Sequence, residues 1–136
     1  MDLIYNGADD DASGCAAVLE IAGALGAGKK PARTVIFLLA TGEEEGLLGT
    51  NVYIDHPVVA LDKTVANLNV EMIGRPDLLV GGAGQVWLTG FDETDLGRAC
   101  ADAGLPVKPD PRLDQHFYER SDNYAFVQRR VIGQTF

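Results

Sequence analysis

The sequence predicts an α/β domain in which helices flank a sheet. From Ala12 onward, apolar residues recur at helical spacing, whereas residues 34–41 form a continuous apolar run rich in β-forming residues. Similar segments alternate along the rest of the chain, and such alternation is typical of a sheet covered by helices. The 136 residues are 46% hydrophobic, which is enough for a core. We therefore expect residues 1–136 to form a single domain.

In the first part of the chain, a helix is predicted from Ala12, with Asp11 or Ser13 as its N-cap. The glycines and the proline of residues 23–32 end it. The apolar run at 34–41 predicts a strand buried on both faces, as in a parallel or mixed sheet. After the GEEEG motif, residues 47–54 predict a short helix that ends before Pro57.

In the remainder of the chain, short β-rich and helical segments continue to alternate. Residues 105–115 contain three prolines and predict an extended connection. The other predicted elements are strands at 64–73, 85–90 and 131–136, and helices at 92–103 and 121–128.

Composition excludes several classes of protein. The formal net charge of −9 disfavours nucleic acid as a partner, because phosphate binding needs a basic surface. The longest unbroken apolar run, residues 35–40, is far shorter than the roughly 20 residues of a membrane span. Two distant cysteines disfavour a disulfide framework. Acidic and polar residues follow Met1 at once, so we expect that the chain either is not exported or lacks its front end.

Carboxylates cluster where predicted elements begin or end. The three segments are NGADDDASG at 6–14, TGEEEGLLG at 41–49 and NVEMIGR at 69–75. In open α/β sheets, ligands bind at the carboxyl ends of the strands. Converging carboxylates repel one another unless a proton or a cation neutralises them. The pattern indicates a cation site, and the alternative is a set of solvated acidic loops.

A calcium loop is a competing interpretation of the first segment. Five residues occupy the first, third, fifth, sixth and twelfth positions of such a loop, namely Asp9, Asp11, Ser13, Gly14 and Glu20. The eight residues before this segment include Gly7 and show no helical period, so the incoming helix of the motif is absent. A calcium site at residues 9–20 nevertheless stays open as an alternative.

The three segments, followed by YERSDNYAF at 118–126, resemble in order and spacing the di-zinc aminopeptidase family. That family includes bacterial leucyl aminopeptidases, glutamate carboxypeptidase II, glutaminyl cyclases and the transferrin receptor ectodomain. The resemblance covers about residues 5–136. It implies a three-layer α/β/α zinc-exopeptidase domain with a mostly parallel mixed sheet, cut at both ends. It also implies a peptide substrate, metal-dependent removal of its N-terminal residue, and a secreted or periplasmic location.

The resemblance also assigns roles to individual carboxylates. It implies that Asp10 bridges two zinc ions and that the peptide bond from Asp10 to Asp11 is cis, with Asp11 as structural support. Glu43 matches the general base and Glu44 the adjacent zinc ligand. Glu71 matches a ligand of the other zinc. Two cations would polarise one water, and an unligated carboxylate beside it would take its proton.

The imidazole ligands of the family are not matched in this chain. One of them would lie before Met1, and Asn123 stands where many relatives have the other. We therefore expect Asn123 as a possible metal ligand, with His116, seven residues earlier, as a possible substitute. A degenerate family member that acts as a binding module, as the transferrin receptor does, is the alternative to an enzyme.

Overall fold

The computed structural model describes residues 4–136, which form a mixed α/β structure with short parallel strands. In this range the α-helices are α1 (Ala12–Ala27), α2 (Leu48–Asp55), α3 (Leu96–Asp102) and α4 (Asp122–Val127). The strands are β1 (Ala66–Asn69), β2 (Val86–Leu88), β3 (Val107–Pro109) and β4 (Ile132–Thr135). Single 3₁₀ turns occur at Leu61–Lys63, Leu78–Val80, Leu113–Gln115 and Phe117–Glu119.

The chain divides into two compact units. Unit 1 consists of Met1–Leu39 and Val70–Arg75, and unit 2 consists of Ala40–Asn69 and Pro76–Phe136. Unit 1 contains α1, and unit 2 contains the other helices and all the strands of the described residues. Each unit has its own internal contacts.

Helix α1 of unit 1 begins where the sequence predicts. Asp11 is its N-cap, and the Asp11 carboxylate accepts a hydrogen bond from the main-chain N–H of Gly14 at 3.1 Å. Such a bond satisfies one of the N–H groups that the first turn of a helix leaves without a partner. At the other end, Gly28 donates to the carbonyl of Ala24 at 3.0 Å. The predicted helix and its cap at Asp11 are confirmed.

The segment at 34–41 differs from its prediction. It forms no helix or strand and belongs to neither of the strand pairs found among residues 4–136. Most of its apolar side chains are exposed, including Phe37 at 41% and Leu39 at 51%. The predicted strand buried on both faces is therefore wrong for the described part of the chain. Residue preference specifies an extended backbone, whereas a strand also needs a neighbour for its N–H and C=O groups.

Unit 2 contains two pairs of parallel strands. β1 pairs with β4 from Ala66↔Ile132 to Asn69↔Thr135, and β2 pairs with β3 over three residues. The predicted strands at 64–73, 85–90 and 131–136 and the predicted third and fourth helices are present but shorter than predicted. The predicted second helix is present at its predicted length, shifted by one residue. β3 lies in the proline-containing segment that predicts only a connection. Pro109 ends that strand, because proline has no N–H for a longer ladder.

The apolar core of unit 2 lies between α4 and the strands. Leu88 is fully buried, and Phe126 of α4 is 3% exposed. Phe126 packs against Tyr53 of α2, with ring centroids 6.0 Å apart. This packing holds α4 over β4 and β1, the strands that contain Asn69, Gln134 and Thr135. Among residues 4–136, no helix has the length and hydrophobicity that crossing a bilayer requires.

Candidate metal and active site

Asp10 lies in a short loop before α1. The N–H of Ala12 donates to the carbonyl of Gly7 at 2.9 Å, which closes the loop, and Gly7 has a φ of +64°. The peptide bond from Asp10 to Asp11 is cis, as the resemblance implies. The Asp10 side chain is exposed, and it makes no hydrogen bond with another described residue. Its carboxylate is therefore accessible to a ligand from outside unit 1.

The two neighbouring aspartates attach this loop to residues 70–75. The Asp11 carboxylate accepts from the N–H of Met72 at 3.1 Å, in addition to capping α1. Asp9 Oδ1 accepts from the N–H of Gly74 at 2.8 Å, and Asp9 Oδ2 lies 3.6 Å from Arg75 Nε. Two carboxylates thus hold the segment that carries Glu71. Sequence reasoning missed Asp9 in this role, although its place beside the predicted cap was a usable signal.

The start of α1 lies in close contact with the same segment. Gly14 is buried, and a Cβ atom added there would lie 2.1 Å from the carbonyl oxygen of Val70. The Ser13 hydroxyl donates to the carbonyl of Asp9 at 2.6 Å. Glu71 is half-buried. The loop of Asp10 and the segment of Glu71 therefore form one hydrogen-bonded substructure within unit 1.

The calcium-loop alternative for residues 9–20 does not agree with this structure. A calcium loop stays open over twelve residues, but α1 begins at Ala12. Glu20 lies eight residues farther along the helix, about 12 Å away at about 1.5 Å per residue. The carboxylates of Asp9 and Asp11 already accept main-chain hydrogen bonds. The helical propensity of residues 12–27 therefore outweighs the spacing match.

The GEEEG motif of unit 2 forms a tight turn before α2. The carbonyl of Glu43 accepts from the N–H groups of Gly46 at 3.0 Å and Leu47 at 2.9 Å. Gly46 has a φ of +95°, a conformation that glycine adopts without strain. Glu43 is half-buried and Glu44 is exposed. Adjacent glutamates in this turn therefore have different surroundings.

Asn123 lies in the interior of unit 2 and has no exposed surface. Its Oδ1 accepts from the hydroxyl of Thr135 at 3.0 Å, and its Nδ2 donates to the carbonyl of Tyr118 at 3.0 Å. Nδ2 also lies 3.5 Å from the carbonyl of Gly133. In this structure the amide connects α4, β4 and the turn before α4. Its surroundings are those of a structural residue, and its oxygen already has a donor.

Other polar residues extend this network through unit 2. Asn69 Nδ2 donates to the hydroxyl of Ser121 at 2.9 Å, and the N–H of Thr135 donates to Thr89 Oγ1 at 3.0 Å. Gln134 is fully buried and donates to the carbonyl of Gly90 at 2.5 Å. Sequence reasoning left Gln134 without a role. A polar residue inside the strand predicted at 131–136 was the available signal, because a buried polar side chain needs an internal partner.

His116 occupies a left-handed position, with a φ of 54°, between two 3₁₀ turns. Its side chain is exposed. Within the described residues, no group of three His, Cys, Asp or Glu side chains is arranged to hold a metal ion. His116 and the carboxylates of its own unit are therefore not a preformed metal centre.

Two pKa shifts report the electrostatics of unit 2. Hydrogen bonds from Arg112 lower the pKa of Asp77, to which Arg112 Nη1 and Nη2 both donate. Burial raises the pKa of the Tyr118 hydroxyl, and the nearby charge of Glu93 adds to that shift. The lowered pKa of Asp77 therefore reflects its ion pair with Arg112. The raised pKa of Tyr118 reflects partial burial of its hydroxyl and the negative charge of Glu93 nearby.

Replacing Asn123 with Leu tests its structural role. The loss of the amide leaves the Tyr118 carbonyl and the Thr135 hydroxyl without their partner, so we expect the free energy of unfolding to fall by about 1–3 kcal/mol. Urea denaturation measures this change, and zinc titration should show unchanged affinity. Asn51→Leu is the control, because the hydrogen bond of Asn51 to Gly46 is exposed. A loss of zinc affinity in folded Asn123→Leu would instead identify a ligand.

Comparison with known proteins matched the chain to one family profile and to several relatives. The profile described as peptidase family M28 matches residues 2–136. "Leucine aminopeptidase 2" of Trichophyton equinum is 33% identical over 135 residues, which cover 92% of this chain and 26% of that protein. A "Probable zinc metalloprotease" of Pyrenophora tritici-repentis (strain Pt-1C-BFP) is 41% identical over 69 residues, 51% of this chain and 16% of that protein.

A third relative is longer than the two already named. A "Vacuolar membrane protease" of Verticillium alfalfae (strain VaMs.102 / ATCC MYA-4576 / FGSC 10136) is 36% identical over 63 residues, which cover 46% of this chain and 6% of that protein. The chain thus spans about a quarter or less of the length of these relatives. No solved structure gives a significant match. Because the family profile extends over nearly all of its residues, the chain belongs to peptidase family M28.

Proposed function

We propose that the chain is catalytic-domain sequence of a zinc-dependent aminopeptidase that hydrolyses the N-terminal bond of peptides. The observation that carries this proposal is the family match over residues 2–136. A relative named as a leucine aminopeptidase, aligned to 92% of the chain, supports the choice of an aminopeptidase. We also propose the three-layer α/β/α arrangement of the family for the domain to which this chain contributes.

The proposed metal ligands are the carboxylates of Asp10, Glu44 and Glu71. Asp10 and Glu44 are exposed, and carboxylate oxygens are suitable ligands for a divalent ion. Hydrogen bonds from Met72 and Gly74 to the aspartates beside Asp10 hold the loop in place. Bound zinc, in one or two ions, would polarise the scissile carbonyl and make a water molecule more acidic. We assign Asn123 to the protein interior and not to this ligand set.

Glu43 is the proposed general base. As the water oxygen forms its bond to the carbonyl carbon, the Glu43 carboxylate takes the proton that the water loses. The carboxylic acid then donates this proton to the amine nitrogen as the C–N bond breaks. Glu43 is half-buried and lies in the same turn as the proposed zinc ligand Glu44, which agrees with a role beside the metal.

A binding module without catalysis is the second candidate. The observation that favours it is the buried, hydrogen-bonded amide at position 123, where many relatives have an imidazole ligand. A protein that kept the fold and lost a ligand would bind zinc weakly and would not hydrolyse peptides.

Zinc titration combined with a hydrolysis assay separates the two candidates. We expect the chain to bind zinc by calorimetry and to release the N-terminal residue of aminoacyl anilides only when zinc is present. Its turnover should be feeble, because two imidazole ligands of the family are unmatched and lost ligands weaken metal affinity. Addition of a chelator should abolish turnover, and restored zinc should recover it. An N-terminally acetylated substrate is the control, because an aminopeptidase requires a free terminus. Zinc-independent turnover, or stoichiometric zinc without any hydrolysis, would contradict the proposal.

A further inference from the structure

Unit 2 contains a cavity of about 170 Å³ between Gly90 and the segment at 110–119. This volume equals roughly five or six water molecules at about 30 Å³ each. Sites for whole drug-sized ligands are larger, at about 300–1,000 Å³. The cavity therefore has room for one side chain or a similar small group.

The cavity is lined by carboxylates and by no Lys or Arg side chain. Asp110 is only 7% exposed. One of its oxygens accepts from the N–H of Arg112 at 2.7 Å, and the other has no hydrogen-bond donor among the described residues. The Arg112 guanidinium is occupied by its two hydrogen bonds to Asp77. The second oxygen of this largely buried carboxylate can accept a further hydrogen bond, so a cationic donor in the cavity would pair with it.

Two further carboxylates, Glu93 and Glu119, line the same cavity. Both are exposed, which places negative charge at its opening. The effect of Glu93 on Tyr118 is consistent with a position close to the cavity wall. The cavity therefore combines a buried carboxylate with carboxylates nearer to solvent, an arrangement that attracts a positively charged group.

The lining residues favour an organic cation over a metal ion. Within residues 4–136 no three His, Cys, Asp or Glu side chains are arranged to hold a metal, and this includes His116 and the carboxylates of the cavity. Divalent ions need several ligands within about 2.0–2.6 Å. An ammonium or guanidinium group on an alkyl chain can instead contact carboxylates that lie farther apart.

Aromatic and aliphatic side chains line the cavity beside these carboxylates. The ring of Phe117 packs against Trp87, with centroids 5.6 Å apart. Leu113 adds an aliphatic surface. The ring of Tyr118 lies so close to Gly90 that a Cβ atom there would be 2.5 Å from two ring carbons. An alkyl stem could pack on these walls while its charged end reaches the carboxylates.

Two buried amides form hydrogen bonds to residues that line the cavity. Asn123 donates to the carbonyl of Tyr118 at 3.0 Å, and Gln134 donates to the carbonyl of Gly90 at 2.5 Å. The wall at Tyr118 is thus bonded directly to the residue that the resemblance aligns with a metal ligand. This connection relates the cavity to the peptidase motif within unit 2.

We propose that this cavity receives a lysine or arginine side chain of a peptide substrate, with Asp110 and Glu93 as the residues that select the positive charge. The proposal rests on the peptidase function proposed above and adds a substrate class to it. The neutral apolar side chains of the walls contact the alkyl stem, and the carboxylates pair with its ammonium or guanidinium group.

Trp87 is the only tryptophan of the chain, so its fluorescence can report binding at the cavity wall. Metal-free protein is titrated with lysinamide and with norleucinamide, which has the same carbon chain and α-ammonium group but no charge on its side chain. We expect lysinamide to bind about tenfold more tightly, a factor that corresponds to one charge-assisted hydrogen bond. Equal affinities would overturn the proposal.

The variants Glu93→Gln and Asp110→Asn test whether these two carboxylates cause the tighter binding of lysinamide. Glu93 is exposed, so Glu93→Gln should remain folded, and we expect it to weaken lysinamide binding about threefold to fivefold. Asp110→Asn should weaken it further if circular dichroism shows that the variant folds. Glu20→Gln, an exposed glutamate of unit 1, is the matched control. Unchanged affinity in folded Glu93→Gln and Asp110→Asn would overturn the proposal.

The same experiment separates failure of this proposal from failure of the proposed function. Because the titration uses metal-free protein, it does not depend on hydrolysis. Zinc-dependent hydrolysis without selective lysinamide binding would overturn the cavity assignment alone. Selective binding without hydrolysis would support the cavity as a site for basic side chains and overturn the peptidase function.

Discussion

Replacing Glu43 with Gln is expected to lower kcat for N-terminal hydrolysis by about 10²–10⁴-fold, the range typical for loss of a general acid–base group. Gln is close to Glu in shape but does not take a proton from water. The turn at residues 42–47 is held by main-chain hydrogen bonds, which the substitution leaves in place. We therefore expect unchanged zinc affinity by calorimetry and unchanged KM in the anilide assay.

Glu45→Gln is the matched control, because Glu45 belongs to the same motif, is exposed, and has no proposed role. It should retain the activity of the original chain within about threefold, since exposed substitutions away from a site have small effects. Turnover by Glu43→Gln equal to that of Glu45→Gln would show that Glu43 is not the base. Loss of zinc affinity in Glu43→Gln would instead show that Glu43 is a metal ligand.

Replacing Gly14 with Ala is expected to reduce the free energy of unfolding by about 1–3 kcal/mol, as overpacking of a close contact does. The added Cβ would lie 2.1 Å from the carbonyl oxygen of Val70, and 2.5 and 2.6 Å from the carboxylate oxygens of Asp11. The start of α1 and the segment at 70–75 would have to separate. Urea denaturation followed by circular dichroism measures this change. Zinc titration should show weaker binding, because Glu71 lies in the displaced segment.

Gly23→Ala provides the control within the same helix. No atom lies within 4 Å of a Cβ added at Gly23. Because alanine favours the helix and restricts the unfolded chain, this variant should be more stable by about 0.5–1 kcal/mol. If Gly14→Ala were as stable as Gly23→Ala, the close packing of α1 against Val70 would be refuted.

Local sequence signals predicted the helices well and the sheet less well. For α1, the apolar spacing and the cap at Asp11 are properties of neighbouring residues, and both are present. For residues 34–41, β-forming residues predicted a buried strand, but the segment is unpaired among the described residues and Phe37 is 41% exposed. Strand formation depends on a partner that the residues of the segment do not specify.

In the candidate site, the sequence likewise predicted which residues matter but not the contacts that their side chains make. The motifs identified the acidic loop and the acidic turn, together with the residues expected to carry the chemistry. They did not reveal that Asp9 and Asp11 each accept main-chain hydrogen bonds from residues 72–74. Nor did they show that Asn123 lies in the interior and pairs with Thr135. A motif specifies residue types and spacing, whereas hydrogen-bond partners sixty residues away are determined by the fold.

The sequence alone determined the family, the acidic motifs and the helix that begins at Ala12. These features depend on residue identity and short-range spacing, which are explicit in the printed letters. The tertiary structure decided that the carboxylates beside Asp10 hold the loop, that Asn123 and Gln134 support the walls of a cavity, and that Asp110 is buried there. The physical reason is that the burial and hydrogen bonding of a polar side chain depend on the segments that pack around it. Those neighbours come from distant parts of the chain.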